Sequence, residues 1–270
     1  MARQNDSAAY PSSSLVIYGV ITFVWSWFFW LISTLLRSQD SLIPGLIGAI
    51  ATFGPTVGAI VVTGKQSGRA GIRTLLRRGF QWRSSWQWCL ILFFVAIPLL
   101  LLSALAIHLA LGGATPPRFP PFDHAWLVAL NFILVLILGG PLGEEFGWRG
   151  FLLPTLQARM TPLIASIWIG VVWAGWHLPL FFIPGQLQQQ FPFPLFLINT
   201  VGLSILFTWV YNNTQGSVLS AIVLHTAVNG WSGVIPILPE AAGSLRPYAI
   251  ATLLVWIIAI LIPWRTRGNY

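Results

Sequence analysis

Residues 125–150 read AWLVALNFILVLILGGPLGEEFGWRG. Sixteen uncharged residues, 125–140, lead into two adjacent carboxylates, Glu144 and Glu145, and a guanidinium at Arg149. A helix needs about 20 apolar residues to cross a bilayer core, so the ionisable groups fall inside a membrane-spanning segment. Gly139, Gly140 and Pro141 interrupt that segment, and a kink or break is expected there. A charged side chain at mid-bilayer costs at least about 2.5–3.5 kcal/mol on insertion scales. Groups placed at that cost usually face a polar interior and mark a functional site.

The same reading extends to the whole chain. Of its 270 residues, 56% are hydrophobic and 7% charged, against about 25% charged in soluble domains. A water-soluble core cannot hide so much apolar surface, so lipid must be the solvent. Backbone groups in lipid bond within their own segment, which makes the spans helical. Eight are expected, at about 15–36, 43–63, 86–111, 125–158, 162–184, 193–211, 217–236 and 247–264. The first is too long for a signal-peptide core and reads as a retained span. The fold class is therefore all-α, a polytopic membrane bundle of about eight transmembrane helices. It forms one integral membrane domain over 1–270, with a catalytic core at about 125–236. Trp86, Trp88, Trp126 and Trp264 mark span ends, where indole rings prefer the headgroup zone. Cys89 is the only cysteine, which excludes an intrachain disulfide.

Net charge is +8, but the basic residues are clustered in a way that points to membrane lipids and not to nucleic acid. An even number of spans puts both termini on one side. That side carries ten cations, Arg3, Lys65, Arg69, Arg73, Arg77, Arg78, Arg83, Arg159, Arg265 and Arg267, against three, Arg37, Arg118 and Arg246, on the other. Positive loops stay inside, so both termini should be cytoplasmic, with the protein in the inner or plasma membrane. Within the basic segment at about 65–83, Ile72, Leu75, Leu76 and Phe80 recur at helical spacing. A short helix lying on anionic headgroups is expected there.

Three polar clusters fall at one depth. Glu145 lies fifteen residues before Met160, and His177 fifteen residues after Pro162. At 1.5 Å per residue both are about 22 Å from the shared turn. His225 and Asn229 lie about 12 and 18 Å along a span that starts near Ser217 on the same side. Glu145 and Arg149 are four apart, as are His225 and Asn229, so each pair shares a helix face. Glu144 is turned about 100° away from Glu145 and is left for another partner. A structural reading would make Glu145–Arg149 a neutralised pair and the remaining groups interhelical hydrogen bonds. A second carboxylate without a cation fits that reading poorly.

A carboxylate, two imidazoles and an amide suit hydrolysis. Glu144, aided by His177, would deprotonate a water for attack on a peptide carbonyl. His225 and Asn229 would stabilise the oxyanion. Glu145, held by Arg149, would orient its neighbours. The competing assignment gives Glu144, His177 and His225 to Zn²⁺, with water in the fourth position. The metal-bound and metal-free readings both stay open at this point.

The segments EEFGWR (144–149), WAGWH (173–177) and HTAVN (225–229) resemble the motifs of the CAAX prenyl protease and bacteriocin-processing (CPBP, or Abi) family of intramembrane endopeptidases. The family pattern is EExxxR, then FxxxH, then HxxxN or HxxxD, on separate helices of a fold of roughly eight spans. Trp173 stands where the family usually has Phe; an aromatic wall is kept, and no change in chemistry is expected from it. The resemblance implies endopeptidase activity on membrane-associated peptide or protein substrates, with catalytic roles at Glu144, Glu145, Arg149, His177, His225 and Asn229. Eukaryotic-type members remove the last three residues after a prenylated cysteine, from the cytoplasmic face. Two rival classes are a proton-coupled transporter and a non-catalytic immunity or scaffold protein. The first would show broken helices in matching repeat halves, and the sequence has neither a repeat nor a second clear break.

Overall fold

The computed structural model describes residues 10–37, 42–80, 86–116 and 124–262. In chain order, the first helices are α1 (Ser12–Leu35), α2 (Ile43–Ala51) and α3 (Gly54–Arg77). Next come α4 (Trp86–Ile91) and α5 (Ile97–Ala110), joined by a π-helical turn over Leu92–Ala96. Then α6 (Ala125–Leu138) is followed by α7 (Pro141–Gly147) and α8 (Leu153–Gln157), joined by a second π-helical turn at Trp148–Leu152. The chain closes with α9 (Pro162–Trp176), α10 (Phe193–Asn213), α11 (Val218–Val234), α12 (Pro239–Ala242) and α13 (Arg246–Leu261). Proline occupies the first turn of α2, α3, α7, α9, α10, α12 and α13, where its missing N–H leaves no bond unmade.

The distribution of side chains is that of an integral membrane protein. On α1 the buried residues are Ser14, Tyr18, Thr22, Ser26 and Trp30, one turn apart. Val16, Val20, Val24, Leu31 and Leu35 of the same helix are exposed. Apolar groups outside and small polar groups inside reverse the order of a soluble helix, as lipid requires. Ser26 Oγ donates to Ala51 O (2.6 Å), which ties α1 to the end of α2.

Each of the eight expected segments is helical, but they are not alike. Among the described residues five helical runs are long and apolar enough to cross a bilayer, or six if α2 and α3, bent by 45°, count as one span, so eight full crossings are not established. α9 and α13 are shorter, at 15 and 16 residues. The expected span 162–184 is cut short because Pro179 cannot continue the helix, and the chain turns through a 3₁₀ turn at Leu178–Phe181. The expected helix over the basic segment forms as the second limb of α3, beyond a break at Gly68 (φ 60°). Arg3, Asp6, Asp40, Arg83, Arg118, Asp123, Trp264, Arg265 and Arg267, and with them both termini, lie outside the described residues.

Close approach of helices positions the centre of the bundle. Gly143 and Gly147, four apart on α7, face the bend between α2 and α3. A Cβ on Gly143 would come 2.7 Å from Thr52 O, and one on Gly147 would come 2.4 Å from Pro55. Small residues at this spacing let two backbones touch. Each π-turn leaves backbone carbonyls that a proline cannot serve. Pro154 has no N–H to offer Gly150 O, and Arg78 Nη1 donates to it instead (3.1 Å). Pro98, five residues after Phe93 and so its π-type partner, has no N–H for Phe93 O, and Trp231 Nε1 donates there (2.6 Å). An unpaired carbonyl in lipid costs several kcal/mol, so these side-chain donors are part of the fold.

Candidate active site

The expected break in the 125–158 segment is the floor of the site. α6 stops at Leu138, and Gly140 takes φ 108°, a conformation that side chains rarely adopt. Pro141 restarts the helix. Glu144 and Glu145 then follow in α7, and Arg149 in the π-turn; all three are buried, at 3%, 0% and 0% exposure. His177 is the C-cap residue of α9. His225 and Asn229 lie one turn apart on α11.

Glu145 is held by two cations or potential cations. Arg149 Nη1 donates to both of its oxygens (3.0 and 3.1 Å), and His225 Nδ1 lies 2.8 Å from Oε1. The guanidinium is covered by the rings of Trp173 and Phe207, 4.9 and 4.2 Å from its central carbon. Ring faces attract a cation, and most strongly where water is excluded. The expected i,i+4 pair thus exists and extends to a third member, His225, from another helix.

Glu144 has different surroundings. Its Oε2 accepts from Trp148 Nε1 (3.2 Å), one turn on, and from Trp173 Nε1 (2.6 Å) across the helix interface. Both donors are neutral. Its other oxygen lies against Gly140, where a Cβ would stand only 2.2 Å from Oε1. Gly140 therefore answers two demands at once, a positive φ and room for a carboxylate.

The two histidines are oriented in different ways. His177 Nδ1 lies 2.9 Å from the carbonyl oxygen of Trp173. A carbonyl can only accept, so Nδ1 carries the proton and the neutral ring keeps its lone pair on Nε2. Trp30, Trp176 and Phe196 pack around that ring. Trp27 Nε1 of α1 donates to Trp176 O (3.0 Å), securing the helix end that carries His177. His225 is fixed by Glu145 at Nδ1 and by ring contacts with Trp173 and Phe207. Asn229 is exposed, and its Nδ2 donates to Gly139 O (3.3 Å) at the break.

The six residues singled out in the sequence therefore fall into connected groups. Arg149, Glu145 and His225 form one hydrogen-bonded triad. Glu144 and His177 are joined through Trp173, which binds one by its indole and the other by its backbone. Asn229 reaches the helix break. The expectation that Trp173 is only an aromatic wall is revised, since its N–H touches Glu144. The sequence also left Trp148 unremarked, although its place one turn after Glu144 was there to be read. The remaining polar residues serve elsewhere. Asn131 bonds Gly230 O, Asn199 bonds Thr252, Cys89 lies 3.9 Å from Ser220, and His108 meets Ala114 O.

The Zn²⁺ assignment is not supported by this arrangement. Among the described residues no group of three or more His, Cys, Asp or Glu is gathered closely enough to hold a metal ion. Nδ1 of His225 is engaged by Glu145, and Oε2 of Glu144 by two indoles.

An all-helical membrane protein with carboxylates and imidazoles wired together inside its bundle belongs to the class of polytopic proteins with an internal polar site. Comparison with known proteins narrows the class. The family model described as type II CAAX prenyl endopeptidase Rce1-like matches residues 125–231. The chain is also 24% identical over 229 residues to CAAX prenyl protease 2 of Methanococcus maripaludis, covering 79% of this chain and 82% of that protein. Both matches are to CAAX prenyl endopeptidases, and the matched stretch 125–231 contains the three motif segments 144–149, 173–177 and 225–229.

Proposed function

We propose that this protein is an intramembrane endopeptidase that hydrolyses a peptide bond near the C-terminus of a membrane-associated, CAAX-type prenylated substrate. The observation that carries the mechanism is the unequal wiring of two adjacent carboxylates. Glu145 is paired with the Arg149 guanidinium and hydrogen-bonded to His225, whereas Glu144 receives only the N–H groups of two indoles. A carboxylate without a cation in a dry site has the character of a proton acceptor.

In this reading Glu144, aided by His177 Nε2, takes a proton from water. The resulting hydroxide attacks the scissile carbonyl carbon, and the carbonyl oxygen becomes an oxyanion. His225, oriented through Nδ1 by Glu145, presents Nε2 to that oxyanion together with the Asn229 amide. When the C–N bond breaks, the proton held by Glu144 passes to the leaving amine. Arg149 acts through Glu145 and keeps His225 in place. Access from the cytoplasmic side is supported by the exposed cations Lys65, Arg69, Arg73 and Arg77 at one end of α3, since positive loops stay inside. Both termini are proposed to lie on that side, in the inner or plasma membrane.

The test is cleavage of a fluorogenic farnesylated peptide by purified protein. The wild type should cleave it, and Glu144→Gln should be inactive while unfolding at a near wild-type temperature. Silence of the wild type in this assay, with proton-coupled uptake in proteoliposomes, would overturn the proposal in favour of a transporter.

A further inference from the structure

Trp173 contacts four of the site's five ionisable residues, Glu144, Arg149, His177 and His225. Its Nε1–H donates to Glu144 Oε2 at 2.6 Å. Its backbone carbonyl meets His177 Nδ1 at 2.9 Å. Its ring lies 4.9 Å from the Arg149 guanidinium carbon and 5.4 Å, edge-on, from the His225 ring. It is 5% exposed. Phe at this position would supply the ring and the backbone carbonyl but no N–H. The one atom that the indole adds is the atom bonded to Glu144.

Trp148, the first residue of the π-turn that follows α7, directs a second indole N–H at the same oxygen. Two donors converging from different helices fix the carboxylate in rotation and in position. They also separate its oxygens by role, since Oε2 is engaged and Oε1 lies over Gly140, where no Cβ intrudes. Hydrogen bonds are stronger in a low-dielectric interior than in water, so this geometry should be well held.

We propose that Trp173 is the positioning residue for Glu144, its indole N–H, with that of Trp148, clamping Oε2 so that Oε1 receives the proton of the attacking water. This inference rests on the endopeptidase reading above. It adds an assignment at a position where the ring alone had been given a role, that of a wall.

Trp173→Phe is the informative variant because it keeps the ring, its packing on Arg149 and the backbone contact to His177. In the farnesylated-peptide assay, kcat should fall about 10- to 100-fold, the range for one hydrogen bond to a charged group. KM should stay within about twofold, because uniform binding is untouched. Trp173→Leu removes ring and N–H together and should lose stability as well, which separates packing from positioning. A second readout needs no turnover. With ¹⁵N-labelled indoles, the Nε1–H resonance that disappears in Trp173→Phe should be displaced downfield in the wild type and should move upfield in Glu144→Ala. Wild-type kcat in Trp173→Phe, or an indole resonance indifferent to Glu144→Ala, would overturn the assignment. If the wild type cleaves no peptide, the endopeptidase reading fails, and the resonance still decides whether the clamp exists.

Discussion

Glu144 and Glu145 are chain neighbours, yet removing their charges should have opposite kinds of consequence. Arg149 is fully buried, and its partner carboxylate sits beside it. Arg149→Met would leave Glu145 buried with only His225, and breaking a buried pair costs about 3–5 kcal/mol. A large drop in thermal unfolding temperature in detergent is therefore expected, with activity lost along with the fold. Glu144→Gln should leave that temperature within a few degrees of wild type, because a glutamine oxygen can still accept from both indoles. The spacing EExxxR made the Glu145–Arg149 pair legible in the sequence, since residues four apart on a helix meet. The partners of Glu144 were not legible. An indole in a run of apolar residues reads as core, and only a tertiary contact reveals which N–H meets a carboxylate. The pairing of His225 with Glu145, and not with Asn229 or Glu144, was hidden for the same reason. The sequence set their depth but not their rotation.

Among the elements, α7 and its π-turn carry the site and depend on contacts too close for a side chain. Gly147→Leu would drive its side chain into Pro55 of α3, where even a Cβ would lie 2.4 Å away. Overpacking of a tight interface costs about 1–3 kcal/mol or more, so lower stability is expected in a denaturation series. Gly140→Ala should affect the site more than the fold's periphery. It forces a side chain onto φ 108° and places its Cβ 2.2 Å from Glu144 Oε1, so peptide cleavage should fall at least as far as in Trp173→Phe. The break itself could be read from Gly139, Gly140 and Pro141. The two π-turns could not, because hydropathy does not encode whether a carbonyl bonds the fourth or the fifth residue on. What the sequence did contain was Pro98 and Pro154, whose missing N–H groups leave carbonyls for Trp231 and Arg78 to meet. Arg78, read as part of a basic headgroup segment, thus also supports the helix that bears the site.

For the whole molecule, a membrane bundle with a polar centre could be read from composition and the positions of the charges. The lengths of individual spans could not. A continuous apolar window cannot show that α9 ends at Trp176 or that α13 covers 16 residues, since apolar residues in turns look the same as those in helices. The loop between α9 and α10 is likewise tied in by tertiary contacts. Gln190 bonds Glu240 through its Nε2 (2.9 Å) and accepts from the Glu240 backbone (3.0 Å), joining that loop to α12. Two expectations belong to this scale. A cysteine placed at Ser67, at the end of α3 that bears the cations, should react with an impermeant thiol reagent only from the cytoplasmic side. Because the site's His and Glu residues do not gather as a ligand set, treatment with a chelator should leave peptide cleavage unchanged. The most direct test of the central claim, that Glu144 activates the attacking water, is cleavage of a farnesylated CAAX peptide in heavy-oxygen water, read by mass spectrometry. The wild type should release a C-terminal tripeptide and place one heavy oxygen on the new carboxyl group, while Glu144→Gln, still folded, releases none. Near-normal release of labelled product by Glu144→Gln would contradict the account.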